Sequence, residues 1–286
     1  MKLLVPIAAA AAASVISAGL ILQPATHRAP AKIAIETVTI DPEPFLYRLP
    51  GEFLKGGRVI DGPQQSTSLS RPLEIMAYQV SAAEYAVCVA DGACRRQDGP
   101  DAPGDLPVTG VSFHDAVAYA GWLSERTGER WRLPTDQEWA FAAAERLGDD
   151  ALGTIEKDVE NPAARWIAAY RERSAGKVRD VTPKPRGTFG ANGHGLLDLA
   201  GNVWEWTSTC YTRTHVDADR ESMQTTENCG VRVSGGRHRG YMTSFLRDGK
   251  SGGCAAGMAP DNLGFRLVKE PAPSIAQRLL GRFARS

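Results

Sequence analysis

Residues 195–210 read GLLDLAGNVWEWTSTC. Two large rings, Trp204 and Trp206, flank the carboxylate of Glu205, and Asp198, Gly201 and Asn202 stand just upstream. Rings of that size leave water readily. Acids and amide groups placed so close to them call for an explanation. Loop-rich domains lack the ladders that satisfy buried backbone carbonyls. One solution is a bound cation that collects them. Calcium accepts carboxylates and backbone carbonyls together, and the oxygens of Asp198, Gly201, Val203 and Glu205 converge if the chain curls at Gly201. The other is a helix-capping turn followed by an amphipathic tryptophan pair.

The chain has 286 residues, 43% of them hydrophobic, enough for one large core or two small ones. Formal net charge is zero, which removes any global attraction to nucleic acid or anionic lipid. The N-terminus stands apart. Lys2 precedes a stretch from Leu3 to Leu22 without a charge. A basic start before an apolar run reads as a secretion signal, or as an uncleaved anchor if it spans a bilayer as a helix. Residues 1–25 are assigned to that segment and the Pro-rich residues 26–44 to a linker. Either reading places the remainder in the periplasm or another extracytoplasmic space.

Cysteine usage agrees with export. Cys88 and Cys94 flank a short Asp-Gly loop, and Cys210 and Cys229 flank a long polar segment without apolar periodicity. Such a segment gains from a bridge at its base. Both pairs are expected as disulfides, with Cys254 left over as a buried small residue or a reactive thiol.

Helix signals lie in the first half. PLEIMAYQVSAAEYAVCVADG starts as a strand and continues as a helix capped by Ser81. Ser112 caps a second helix, in which Ala116, Ala120 and Leu123 recur at helical spacing before Gly128 stops it. Thr135 and Glu138 form a capping box for a third, closed at Gly148. Beyond it Gly, Pro and Asn recur every few residues, which predicts loops and short strands around a modest core. The tail 271–286 is short, basic and amphipathic.

RLPTDQEWAFAA, NGHGLLDLAGNVWEWTS, SGG and NLGFRLV occur in this order. Together they resemble the formylglycine-generating enzyme, or sulfatase-modifying factor, superfamily over roughly residues 45–270. The resemblance implies a single irregular α+β domain related to C-type lectins. It also implies a structural calcium site on the Asp198 and Glu205 side chains and the Gly201 and Val203 carbonyls.

The resemblance fails at the catalytic centre. The family's oxidase holds copper(I) on two cysteines between the Gly-Gly motif and Gly-Phe-Arg, as suits a soft metal. No cysteine lies between Gly235 and Gly253, and Gly240 and Phe245 fall where the pair belongs. Arg237, His238, Arg239, Tyr241, Arg247 and Lys250 stand there instead, a basic segment suited to carboxylate or phosphate. Arg237, Arg239, Arg247 and Asn262 are the expected binding residues. His238, Tyr241 and Cys254 are the expected catalytic residues if an activity with copper or iron remains. The ending RHRGY…GGCAAG…DNLGFRLV is similar to members that accompany copper nitrite reductases in denitrification. Two functions follow: an exported accessory protein for a partner redox enzyme, or a non-standard oxidase or protein-modifying metalloenzyme.

Overall fold

The structure, a computed structural model, describes residues 35–99, 102–148, 182–217, 223–251 and 262–271. The N-terminal segment, Cys254 and residues 272–286 lie outside them. Among the described residues no helix is long and apolar enough to cross a membrane.

Strand β1 (Thr37–Ile40) pairs antiparallel with β6 (Leu73–Met76). β6 pairs with β12 (Val268–Glu270), and β12 with β7 (Arg130–Arg132), completing a four-stranded sheet. The expected linker therefore ends earlier than residue 44. Thr37, Val38 and Ile40 suit a strand, and Ile40 buries against Leu73 in the same apolar cluster. Next come β2 (Phe45–Arg48), β3 (Glu52–Lys55), β4 (Arg58–Ile60) and β5 (Gln64–Thr67), with β2 and β5 forming a separate two-stranded antiparallel sheet.

The three helices form where the capping signals place them. α1 (Ala82–Ala90), α2 (Phe113–Thr127) and α3 (Asp136–Ala143) begin with complete capping boxes at Ser81, Ser112 and Thr135. Gly128 stops α2 at φ 73°, a conformation glycine adopts cheaply. α3 ends at Ala143, earlier than Gly148, and a 3-10 turn over Ala144–Arg146 follows it. Ala144 enters that turn at φ 48°, which breaks the helical path.

The second half departs furthest from expectation. Two 13-residue strands, β8 (Trp204–Val216) and β9 (Met223–Gly235), pair antiparallel. They are the centre of a six-stranded sheet with β10 (Gly240–Thr243), β3, β4 and β11 (Leu263–Gly264). The described residues of the polar segment between Cys210 and Cys229 belong to β8 and β9, except Asp217. The outer half of this pair is held by ladder hydrogen bonds and one cross-strand contact, Thr214–Thr225, with little apolar burial beyond Val216, so apolar periodicity gave no sign of it. Both expected disulfides are formed, Cys88–Cys94 and Cys210–Cys229.

β8 separates two apolar clusters. Trp204 and Trp206 join Tyr85, Tyr119, Leu123 and Phe265, while Trp139 sits in the other cluster with Phe141, Leu196 and Leu199. Side chains alternate along a strand, so Glu205 turns to the opposite face and meets Trp139.

Arg132 and the start of α3 make stability depend on pH. Burial alone would raise the Glu138 pKa, but hydrogen bonds from Arg132 at 2.7 Å and from the Thr135 N–H hold it below its ordinary value of 4.5. A depressed carboxyl contributes stability above its unfolded pKa and loses it as pH falls through the folded one. Glu138→Gln should lower the melting temperature at neutral pH and flatten the loss of stability below about pH 4.5; thermal melts across pH check both.

Candidate functional site

The site grows from Glu205. This carboxylate is 0% exposed and accepts hydrogen bonds from Gln79 Nε2 at 2.8 Å, Trp139 Nε1 at 3.0 Å, Arg266 Nε at 2.7 Å and Arg266 Nη2 at 2.9 Å. Arg266, also 0% exposed, donates further to the carbonyls of Met76, Ala77 and Leu197. Each carboxylate oxygen accepts two donors, close to its full capacity. The positive partner of the carboxylate between the two tryptophans is a guanidinium.

The expected calcium ligands take separate roles. Asp198, at φ 60°, accepts from the backbone N–H groups of Gly187 and Phe189 at 2.6 and 2.8 Å and so closes the turn 187–190. Gly201 lies against Phe189, where a Cβ would meet the ring at 2.9 Å, and Val203 is core. Both carboxylates accept N–H donors, and Glu205 has a positive partner in Arg266.

The Gly-Gly motif is explained by close packing. A Cβ on Gly235 would stand 2.4 Å from the Trp139 ring, and one on Gly236 would stand 2.4 Å from the Trp204 ring. Only glycine admits both indoles. Trp204 Nε1 then donates to the His238 carbonyl at 3.2 Å, and its ring meets the His238 imidazole edge-on at 5.5 Å. His238 Nδ1 lies 2.8 Å from the Arg239 carbonyl. The half-buried His238 is therefore positioned by the same tryptophan that flanks Glu205.

The expected binding residues divide. Arg239 turns inward, 7% exposed, with Nε 3.0 Å from both Asp136 oxygens, Nη2 on the Arg48 carbonyl and its guanidinium 5.3 Å from the Tyr47 ring centre. Tyr47 donates to Asp136 at 2.7 Å. Burial first, and the Asp136 charge second, push its phenol pKa up, so it remains a donor. Arg247 also turns inward, to Asp115, Asp98 and the Arg96 carbonyl, and straps the Cys94 loop to the start of α2. Tyr241 accepts from Gly51 N–H at 2.8 Å and packs edge-on against Tyr211. The Asn262 carbonyl accepts from Trp204 N–H. Arg237 and Lys250 are exposed, and Phe245 is 70% exposed.

Asp136, Gln79 and Arg266 complete this region and were not anticipated as site residues. Asp136 carried one signal, its place in the first turn of α3, but its partners lie 89 and 103 residues away in sequence. Breaking a buried pair on one side leaves an uncompensated charge. Glu205→Leu and Arg266→Met should each cost about 3–5 kcal/mol, and the double variant should recover much of that loss; urea melts of the three proteins measure the coupling.

The chain matches the sulfatase-modifying factor enzyme 1-like domain over residues 24–271. A formylglycine-generating enzyme of Mycobacterium tuberculosis is 39% identical over 135 residues, covering 43% of this chain and 42% of the relative. An inactive C-alpha-formylglycine-generating enzyme 2 of Bos taurus is 31% identical over 165 residues, covering 57% and 50%. The chain spans about half the length of these curated relatives. A solved structure of PvdO from Pseudomonas aeruginosa aligns with a TM-score of 0.51 at 20% identity, over 82% of this chain and 94% of that one, a likeness of fold. With most of its length matched and with the mixed helix and sheet architecture of its neighbours, the chain belongs to the sulfatase-modifying factor enzyme 1-like family.

Proposed function

We propose that the chain is an exported accessory protein that binds a partner redox enzyme and does not oxidise a cysteine. The observation that carries this reading is the replacement at the thiolate positions. Gly240 is buried in β10, and Phe245 stands 70% exposed just beyond that strand. Neither can hold a soft metal. An exposed large aromatic is a common anchor of protein interfaces, and the exposed cations Arg237 and Lys250 lie in the flanking turns. A partner segment that is apolar with an adjoining acidic group matches this surface. The inward ion pairs of Arg239 and Arg247 hold the backbone that presents it.

A copper nitrite reductase is the partner to test first. Its binding to the purified chain should weaken about tenfold or more with Phe245→Ala, a typical hot-spot effect. Arg237→Ala should cost roughly 1.5–3 kcal/mol and reduce the salt dependence of binding. An oxygen electrode with cysteine peptides and copper(I) should record no uptake. Uptake that disappears in His238→Ala or Cys254→Ser would overturn the binding reading in favour of the metalloenzyme. Binding unchanged in both surface variants would remove this face from the account.

A further inference from the structure

The two disulfides differ sharply in exposure. Cys88 is fully buried and Cys94 is buried beside it in the main apolar cluster. Cys229 is exposed on β9, and its partner Cys210 is half-buried on β8. The second bridge is also flanked by opposite charges. Arg232 Nη1 lies 3.0 Å from Cys210 Sγ, and Glu227 Oε1 lies 3.2 Å from Cys229 Sγ. Arg232 is held there by the Ser208 carbonyl at 2.6 Å and by the Phe113 ring, 4.2 Å from its guanidinium carbon. Its Nε is buried without a partner, so water screens this cation poorly on that side.

We propose that Cys210–Cys229 is a polarised, exchangeable disulfide, attacked at Cys229 by the thiolate of an external dithiol, with Cys210 as the leaving sulfur. Exchange begins when that thiolate bonds to Cys229 Sγ. The Cys210–Cys229 bond breaks, and its electron pair goes to Cys210. The new thiolate forms beside Arg232, which stabilises it, whereas a thiolate on Cys229 would face Glu227. A thiol of lower pKa leaves faster. The second thiol of the dithiol loses its proton to solvent and attacks the dithiol sulfur of the mixed disulfide. That closes the external disulfide and releases Cys229, which takes a proton from water. Two electrons have passed to the protein, and the dithiol is oxidised.

The bridge is placed to transmit this change. Between the pairs Trp206–Ser234 and Cys210–Arg232, β8 advances four residues and β9 two. Between Cys210–Arg232 and Tyr211–Asn228, β8 advances one and β9 four. The disulfide thus pins the hairpin between two opposed irregularities, where ladder bonds do not fix the register. The β8 irregularity carries Ser208, whose N–H donates to Pro134, and Thr209, whose hydroxyl accepts from Asp136 N–H. Asp136 is the partner of Arg239. Opening the bridge loosens support for the backbone next to His238.

The test is timed treatment of the folded chain with dithiothreitol, followed by alkylation and mass spectrometry of each cysteine. Cys210–Cys229 should open at least about tenfold faster than Cys88–Cys94. With glutathione in place of the dithiol, the mixed disulfide should form on Cys229 and the alkylating label on Cys210. Arg232→Gln should slow opening severalfold and Arg232→Lys should restore much of the rate. Glu227→Gln, which removes a charge that repels the attacking thiolate, should raise it. Glutathione on Cys210, or both bridges opening at one rate, would overturn the proposal. Because the site of glutathione attachment is read on the unaltered protein, the test does not depend on any variant folding.

Discussion

A buried ion pair, Glu205 with Arg266, reinforces the junction that the two-residue strand β11 makes with β8. The partners are 61 residues apart, and the hub they form also takes Gln79 from the first half and Trp139 from α3. Arg266 reaches the carbonyls of Met76 and Ala77 at the end of β6 and the one before Asp198. Removing two charges from water is costly, and attraction between them repays it only when the remaining donors and acceptors are also matched. Here they are, with four donors on the carboxylate and three carbonyls on the guanidinium. In a loop-rich domain, where ladders leave many carbonyls unpaired, such a hub does work that a larger sheet would do elsewhere.

The candidate site inherits its geometry from that hub. Glu205 fixes the Trp139 indole, and β8 fixes the Trp204 indole on its opposite face. Gly235 and Gly236 fit against these two rings, which decides where the chain turns into Arg237 and His238. Arg239 then anchors on Asp136 at the start of α3. The exposed surface at Arg237 and Phe245 is therefore set by buried contacts on either side of β10. The polarised disulfide sits at the far end of the same β8 segment and shares Asp136 with it through Thr209.

What could be read from the sequence was mostly local. Ser81, Ser112 and Thr135 satisfy helix N-termini within three residues of themselves, so their signals are complete in a short window. The two disulfides were legible because their cysteines flank recognisable loops. The order of the motifs gave the family and the α+β fold. The long hairpin was not legible, because its outer half is mostly polar and is held by pairing with a distant strand, β3. The inward turn of Arg239 and Arg247 was hidden for a related reason. A run of basic residues reads as a solvated or ligand-binding surface until Asp136 and Asp115 are known to face it. The acids around the tryptophans were rightly singled out as a problem, but the cation that meets Glu205 came from Gly-Phe-Arg at the other end of the domain.

If the Glu205–Arg266 hub organises the domain, its hydrogen-bonded protons should be released only when the whole domain opens. Hydrogen exchange of the Trp139 indole N–H, followed by NMR in increasing denaturant, tests this directly. This proton should exchange with the free energy of global unfolding and with its full denaturant dependence. Exchange well below that free energy, with little response to denaturant, would mean that the hub opens while the fold stays intact, and would contradict the central role assigned to it.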